Sequence, residues 1–331
     1  TVADVDDTAP SLSSSSPADN ATAIAVGSNI VLTFSEAVDV ESGNIVIKKS
    51  SDNSTIETID VTSGQVTGTG SNTITINPSS DLDSLTQYYV QIAATAFDDS
   101  SSNSYAGISD TTSLSFTTAD VVNPSLSSSS PADNATAVAV GSNIVLTFSE
   151  AVDVESGNIL IKKASDDSTV ETIAVTSGQV TGTGTNTITI NPSSNLDSST
   201  QYYVQIAATA FDDSSSNSYA GITDTTSLSF TTADIVNPSL SSSSPTDNAT
   251  AVAVGSNIVL TFSEAVDVES GNILIKKSSD NSTVETIAVT SGQVTGTGTN
   301  TITINPTSNL DSSTQYYVQI AATAFDDSSS N

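Results

Sequence analysis

The stretch SNIVLTFSE, residues 142–150, alternates apolar and polar side chains. Ile144, Leu146 and Phe148 fall on one face of an extended chain, and Val145 and Thr147 fall on the other. Because successive side chains of a β-strand point to opposite faces of the sheet, this period of two predicts a strand with one buried face. No segment shows the 3.6-residue period of an amphipathic helix. The sequence therefore predicts an all-β fold.

The same nine residues occur three times, within a long repeat. The motif PSLSSSSP begins at Pro10, Pro124 and Pro238, which gives a period of 114 residues. Residues 125–217 and 239–331 differ at only four of 93 positions, namely 132, 164, 167 and 193 of the earlier copy. A period of this length is too long for a solenoid repeat and fits a whole domain. We predict three domains, at residues 1–120, 121–234 and 235–331.

Seven segments of the full repeat have the pattern of a strand, and about seven strands in roughly 110 residues are typical of an immunoglobulin-like sandwich. Linkers such as ADVVNP, residues 119–124, are short and contain proline, so we predict an elongated array of tandem sandwiches. Tyr202 stands near the start of the sixth strand, where it is either a corner tyrosine or a tyrosine simply packed in the core. Further inward positions in the second copy are predicted to be Ile159, Ile161, Ile188, Ile190, Tyr202, Val204, Ile206, Ala208, Leu228 and Phe230.

The composition excludes several functions. The formal net charge is −31, from 37 acidic residues against 6 basic ones, and there is no histidine or cysteine. A Ser-His-Asp or Cys-His catalytic site and a thiolate or imidazole zinc site therefore cannot be built. Nucleic acid is a poor partner for such a charge, and no apolar run is long enough to span a bilayer. The absence of cysteine leaves the redox compartment open.

The repeat also resembles a known family. The segment SSSSPADNATAVAVGSNIVLTFSEAVD at 127–153, the later YYVQI strand and the motif F-D-D-x-x-x-N at 211–217 are similar to the bacterial Ig-like domains of S-layer and giant surface proteins. The resemblance covers nearly the whole chain and implies an extracellular array domain, but it does not imply a ligand. In the family the closing loop usually has a glycine before the asparagine, whereas this chain has Ser216 and Asn217.

Acidic residues recur near the ends of the second and sixth strands. The second strand finishes at Glu150, with Asp153 after it, and the sixth finishes at Asp212 and Asp213. Ig topology brings these two ends to the end of the sandwich where the linker arrives with Asp120. Turns of the preceding domain should add further acids to the first junction, at Asp19, Asp81 and Asp83. The complete predicted set is Asp6, Glu36, Asp39, Asp98, Asp99, Asp120, Glu150, Asp153, Asp212, Asp213, Asp234, Glu264, Asp267, Asp326 and Asp327.

These carboxylates suggest calcium. Like charges held close together repel, whereas a calcium ion takes six to eight oxygen ligands and reverses the sign of the interaction. The alternative is that the acids are solvated loop ends that keep the protein soluble. No EF-hand loop is present, so the hypothesis depends on topology alone.

The sequence therefore predicts a non-enzymatic structural segment of an extracellular bacterial stalk or filament, stiffened by calcium at its junctions. Its partners would be further copies of the repeat, in a longer chain or in neighbouring subunits. One alternative is an adhesin module that contacts a sugar or a host surface, although no tryptophan is present to stack on a sugar ring.

The third repeat stops at Asn331 and lacks the segment that follows Asn103 and Asn217 in the other two. We therefore expect the third sandwich to lack its seventh strand. Two explanations are a longer array, of which these residues are a part, and a fibre subunit that receives the strand from a neighbouring molecule.

Overall fold

A computed structural model describes residues 7–331, and in these residues every regular element is a β-strand. The first unit contains ten strands, whereas the sequence pattern predicted seven, because some of the predicted segments form two shorter strands. The described residues contain no helix that could cross a membrane. The strands of the first unit are β1 Leu12–Ser16, β2 Ala21–Ile24, β3 Ile30–Val40, β4 Asn44–Lys49, β5 Thr55–Asp60, β6 Val66–Thr67, β7 Ser71–Ile76, β8 Gln87–Ile92, β9 Phe97–Asp98 and β10 Ser115–Thr118.

Two sheets face each other in this unit. One has the strand order β1-β3-β7-β6, with the short β9 paired to the far end of β3, and the other has the order β2-β10-β8-β4-β5. The first predicted segment supplies β1 to one sheet, and the next residues supply β2 to the other, in parallel with β10. The remaining pairs are antiparallel, as in an immunoglobulin-like sandwich.

The second unit repeats this arrangement with ten strands. They are β11 Leu126–Ser130, β12 Ala135–Val138, β13 Ile144–Val154, β14 Asn158–Lys163, β15 Thr169–Ala174, β16 Val180–Thr181, β17 Thr185–Ile190, β18 Gln201–Ile206, β19 Phe211–Asp212 and β20 Ser229–Thr232. The third unit contains β21 Leu240–Ser244, β22 Ile258–Val268, β23 Asn272–Lys277, β24 Thr283–Ala288, β25 Val294–Thr295, β26 Thr299–Ile304, β27 Tyr316–Ile320 and β28 Phe325–Asp326.

The period-two pattern places the core correctly. Ile144, Leu146 and Phe148 of β13 are buried between the sheets, as the opening stretch predicts. Burying one such side chain contributes about 1.5–3 kcal/mol, which is why the alternation fixes which face of each strand turns inward. The predicted inward residues of the other strands are buried too, namely Ile159, Ile161, Ile188, Ile190, Tyr202, Val204, Ile206, Leu228 and Phe230.

One inward position was predicted wrongly. The sixth predicted segment does not continue as a single strand through Ala208, because β18 ends at Ile206 and the chain turns before β19. Ala208 is exposed in that turn, and Ala210 is buried in its place. The turn moves β19 to the opposite sheet, where it pairs with the end of β13.

Tyr202 is a corner tyrosine as well as a core residue. Its ring is fully buried, and its hydroxyl accepts a hydrogen bond of 2.9 Å from the backbone N–H of Asp197, five residues earlier. The same bond joins Tyr88 to Asp83 and Tyr316 to Asp311. The hydroxyl therefore anchors the turn before the sixth strand to the core.

The surface area of the chain shows that the units share little interface. The accessible surface is 16636 Å² for a mass of 33.5 kDa. One compact protein of that mass would expose about 12,700 Å², whereas three separate proteins of a third of the mass would together expose about 17,000 Å². The chain is therefore an extended array of nearly independent sandwiches.

The second sheet of the third unit has three strands, in the order β24-β23-β27, where the first two units have five. Within residues 7–331, which the structure describes, no segment occupies the position of β20 beside the sixth strand of the third unit. As a result Val318 and Ile320 of β27 are each 37% exposed, whereas the equivalent Val204 and Ile206 are 0% and 1% exposed.

Candidate metal centre at the unit junctions

The long strand β13 carries Glu150 to the end of the second unit that receives the linker. Its first half pairs with β17 as far as Thr147, and its last residues pair with β19, where Asp153 lies opposite Asp212. The register shifts between Thr147 and Val152. Irregularities of this kind redirect a side chain, and Glu150 lies within the shifted part of the strand. The sequence predicted that the strand would end at Glu150, and this is wrong, because β13 continues to Val154.

The loop that follows β19 is organised by Asp213. Its carboxylate accepts hydrogen bonds of 2.8 Å from the backbone N–H groups of Ser215 and Asn217 and from the Asn217 side-chain amide. Asp213 is buried, and Ser216 has a φ of 65°, in the left-handed region that a tight loop of this kind requires. The second aspartate of each F-D-D motif is therefore the internal cap of the D-D-S-S-S-N loop.

The linker residue Asp120 is bonded to both neighbouring units. Its carboxylate accepts hydrogen bonds of 3.0 Å from the Ser84 hydroxyl of the first unit and from the Val122 N–H of the linker itself. Its backbone carbonyl accepts a bond of 3.3 Å from the side-chain amide of Asn217 in the second unit. Since Asn217 also donates to Asp213, one asparagine connects the linker to the closing loop.

The three elements bring Asp120, Glu150 and Asp213 together. One carboxylate oxygen from each lies within 4.8 Å of the others. Burial, followed by the negative charges of Asp120 and Asp213, raises the pKa of Glu150 above its ordinary value. Burial acts to raise the pKa of Asp213 as well, but the hydrogen bonds from Asn217 and Ser215 outweigh it and lower that pKa.

The second junction repeats this geometry with a different linker sequence, IV in place of VV after the aspartate. Asp234, Glu264 and Asp327 form the cluster, again with one oxygen from each within 4.8 Å of the others. The amide of Asn331 donates to the carbonyl of Asp234 at 3.0 Å. Burial, then the charges of Asp234 and Asp327, raises the pKa of Glu264.

The donor set fits a hard divalent cation. Calcium–oxygen distances are about 2.3–2.6 Å, so two ligands of one ion stand at most roughly 5 Å apart. The 4.8 Å limit within each cluster is compatible with that geometry. All three side chains offer carboxylate oxygens. The charge of a dication would offset both the burial and the repulsion that raise the pKa of the glutamate.

Other predicted acids lie apart from these clusters in the described residues. Asp39, Asp153 and Asp267 each accept a hydrogen bond from a threonine of the neighbouring turn, at 3.1–3.2 Å. Their partners in strand register are Asp98, Asp212 and Asp326. At the start of the first unit Asp99 caps its loop as Asp213 does, and Glu36 occupies the position of Glu150. Asp6 lies outside the described residues.

The turns of the preceding unit do not contribute to the cluster at the first junction. Asp19 accepts hydrogen bonds from the backbone and hydroxyl of Ser115, and Asp83 forms an ion pair with Lys49 at 2.5 Å. Asp81 lies against Gly27. The first unit contributes Ser84 instead, a residue that the sequence analysis did not consider.

The role of Asn217 was also missed. Its signal in the sequence was the fixed spacing D-x-x-x-N at the end of all three D-D-S-S-S-N loops, which is typical of a side chain that closes its own loop.

The sequence as a whole matches the bacterial Ig-like domain family three times in tandem, at residues 6–118, 120–232 and 234–331. The chain therefore belongs to the bacterial Ig-like domain family, as its resemblance indicated. No relative was found among curated proteins.

Several solved structures show a distant likeness. The FN1–FN3 domains of chicken CNTN1 are 13% identical, with 91% of this chain and 92% of that one covered and a TM-score of 0.31. The S-layer protein rSbsC(31-844) is 12% identical, with coverage of 97% and 54% and a TM-score of 0.25. The BSP domain of a biofilm associated protein is 12% identical, with coverage of 65% and 29% and a TM-score of 0.18. The family assignment rests on the sequence match alone.

Proposed function

We propose that this chain is a structural segment of an extracellular bacterial stalk or filament in which calcium stiffens the junctions between sandwiches. One observation carries the proposal: both junctions gather a linker aspartate and two acids of the following unit within reach of one cation. Membership of the bacterial Ig-like family supports a cell-surface role, and repeats of this kind are typically structural and non-enzymatic modules.

The physical argument concerns the linker. Little surface is shared between the units, so the linker contacts determine their relative orientation. Asp120 is held by Ser84 on one side and by Asn217 on the other, but its carboxylate faces two like charges. Repulsion weakens this arrangement, and a bound cation turns the same three groups into a crosslink between the linker and the second unit.

Calcium should raise the melting temperature and reduce bending at the junctions. An affinity in the range of extracellular modules, on the order of 10⁻⁴–10⁻³ M, is expected for such a site. At a tenfold excess over the dissociation constant, binding adds about 1.4 kcal/mol per independent site. Calorimetric titration measures the affinity and stoichiometry, and small-angle scattering in calcium and in chelator measures the particle length.

Variants at the linkers make this test specific. Asp120→Asn should remove the calcium response of the first junction and Asp234→Asn that of the second, and the double variant should remove both. Asp60→Ala is the matched control, because it also deletes one carboxylate and the other two repeats already have alanine there, at 174 and 288. Identical melting temperatures and lengths in calcium and in chelator would refute the proposal, as would an unchanged response of the double variant.

The substitution Glu150→Gln should have opposite effects on the stability of the second unit in chelator and in calcium. A carboxyl group whose pKa is raised on folding disfavours the folded state increasingly as the pH rises above its ordinary pKa. At neutral pH in chelator, Glu150→Gln should therefore increase the stability of the second unit, and the gain should vanish as the pH falls below 4. In calcium the same variant should lose stabilisation relative to the unsubstituted chain.

Thermal melting across this pH range in both conditions checks the Glu150→Gln expectation. A variant that is destabilised in chelator at neutral pH would show that Glu150 makes a favourable contact that outweighs the repulsion.

A further inference from the structure

A cavity on the outer face of the second sheet of the first unit plays no part in the junctions. Its volume is about 400 Å³, within the range of about 300–1,000 Å³ that is usual for small-molecule sites. Its walls come from the turn between β4 and β5, the start of β8 and the loop before β10. All the side chains that line it are neutral and hydrogen-bonding: Asn20, Ser50, Asn53, Gln87, Tyr89, Thr111, Thr112 and Ser115.

Several hydrogen-bonding groups of this cavity have no partner among the described residues. The side chains of Ser50, Gln87 and Thr111 make no hydrogen bond there. The Tyr89 hydroxyl donates to Oδ1 of Asn53 at 3.1 Å, which fixes the orientation of the amide and leaves its Nδ2 without a protein partner. The cavity thus offers two amides and two hydroxyls, with both donors and acceptors, and Asn53 is the one whose orientation a hydrogen bond fixes.

We propose that this cavity of the first unit binds a neutral polyhydroxylated ligand, such as one hexose residue of a glycan, through hydrogen bonds to Ser50, Asn53 and Gln87. The Tyr89 ring is buried, so it holds Asn53 in place and is not available for stacking on a sugar. An anionic sugar would be disfavoured by the charge of the chain as a whole. The proposal is independent of calcium at the junctions.

The repeats themselves provide the matched variants. In the second unit Ser50 is replaced by Ala164 and Asn53 by Asp167, and the local fold is unchanged. Ala164 N–H donates to the Gln201 carbonyl as Ser50 N–H does to that of Gln87, at 2.9 Å in both units. The Tyr203 hydroxyl donates to Asp167 at 3.0 Å, as Tyr89 does to Asn53. The exchange therefore removes one hydroxyl and turns an amide donor into a charged acceptor while the turn keeps its shape.

Saturation-transfer NMR on the whole chain in chelator tests the proposal, with methyl glucoside, methyl galactoside and methyl mannoside as probes. At least one probe should receive magnetisation from the unsubstituted chain. The third unit has the same serine and asparagine, at Ser278 and Asn281, so the variants are compared in a chain that carries Ser278→Ala and Asn281→Asp. In that background, Asn53→Asp with Ser50→Ala should weaken binding by about fivefold or more, since two hydrogen bonds are lost. In the same background, the reverse exchange in the second unit, Asp167→Asn with Ala164→Ser, should double the number of sites measured by titration.

Each of four outcomes would overturn the proposal. They are the absence of transfer to all three glycosides at millimolar concentration, binding that persists when Asn53→Asp and Ser50→Ala are combined with Ser278→Ala and Asn281→Asp, a stoichiometry unchanged by the reverse exchange, and binding of glucuronic acid as tight as that of the neutral glycosides. Circular dichroism of each variant checks that it remains folded, which the second unit already leads us to expect.

Discussion

Gly68→Ala should destabilise the first unit by about 2–6 kcal/mol, which is enough to unfold a marginal domain. Gly68 has a φ of 108°, a backbone conformation that residues with a side chain rarely adopt. A Cβ atom at this position would lie 2.1 Å from the backbone carbonyl oxygen of Thr73 on β7. Since the oxygen belongs to the sheet, the clash cannot be relieved by a side-chain rotation.

Gly64→Ala is the control for this substitution. Gly64 lies in an exposed turn before β6, and a Cβ atom there would meet nothing within 4 Å. Hydrogen exchange followed by mass spectrometry measures the stability of the first unit, with residues 55–61 as the reporter segment. Its peptides can be assigned to the first unit because the sequence differs from both other copies at Ile56 and Asp60. Gly68→Ala should accelerate exchange of this segment strongly, and Gly64→Ala should leave it within experimental error. Equal effects of the two variants would show that the conformation of Gly68 is not a constraint.

In a polypeptide made of residues 1–331, the third unit should be less stable than the second by about 3–6 kcal/mol. In the second unit Leu228 and Phe230 are buried against the core, and none of the described residues takes their place in the third. The exposure of Val318 and Ile320 is the visible consequence.

Extending the chain after Asn331 by the segment 218–234 tests this expectation. The extended third unit should regain the stability of the second, since the two copies otherwise differ at only four positions. Hydrogen exchange of residues 272–282 distinguishes the units, because Ser278 and Asn281 replace Ala164 and Asp167. A third unit that exchanges as slowly without the extension as with it would mean that the sandwich is stable with three strands in its second sheet.

Local patterns determined the class of fold. Alternation in SNIVLTFSE fixed the buried face of β13 because a one-residue shift would expose Ile144, Leu146 and Phe148 together. The 114-residue repeat showed that the fold occurs three times. The same pattern failed at Ala208, since a period of two does not indicate where a strand leaves one sheet to join the other. That transition depends on pairing between β19 and β13, which are more than 50 residues apart.

The candidate metal site likewise depended partly on the sequence and partly on the tertiary structure. The sequence indicated that acids gather near the ends of the second and sixth strands, because the topology of a sandwich places those ends together. It could not select Asp120, Glu150 and Asp213 from fifteen candidates, since strand register places Asp153 opposite Asp212 and within reach of a threonine. Nor could it show that Ser84 and Asn217 hold the linker, because both contacts join residues distant in sequence. The sequence by itself determined the sandwich and its charge, because burial and net charge depend on local pattern and composition. Only the tertiary structure decided which carboxylates meet at the junctions, because their distances depend on how the two units and the linker pack.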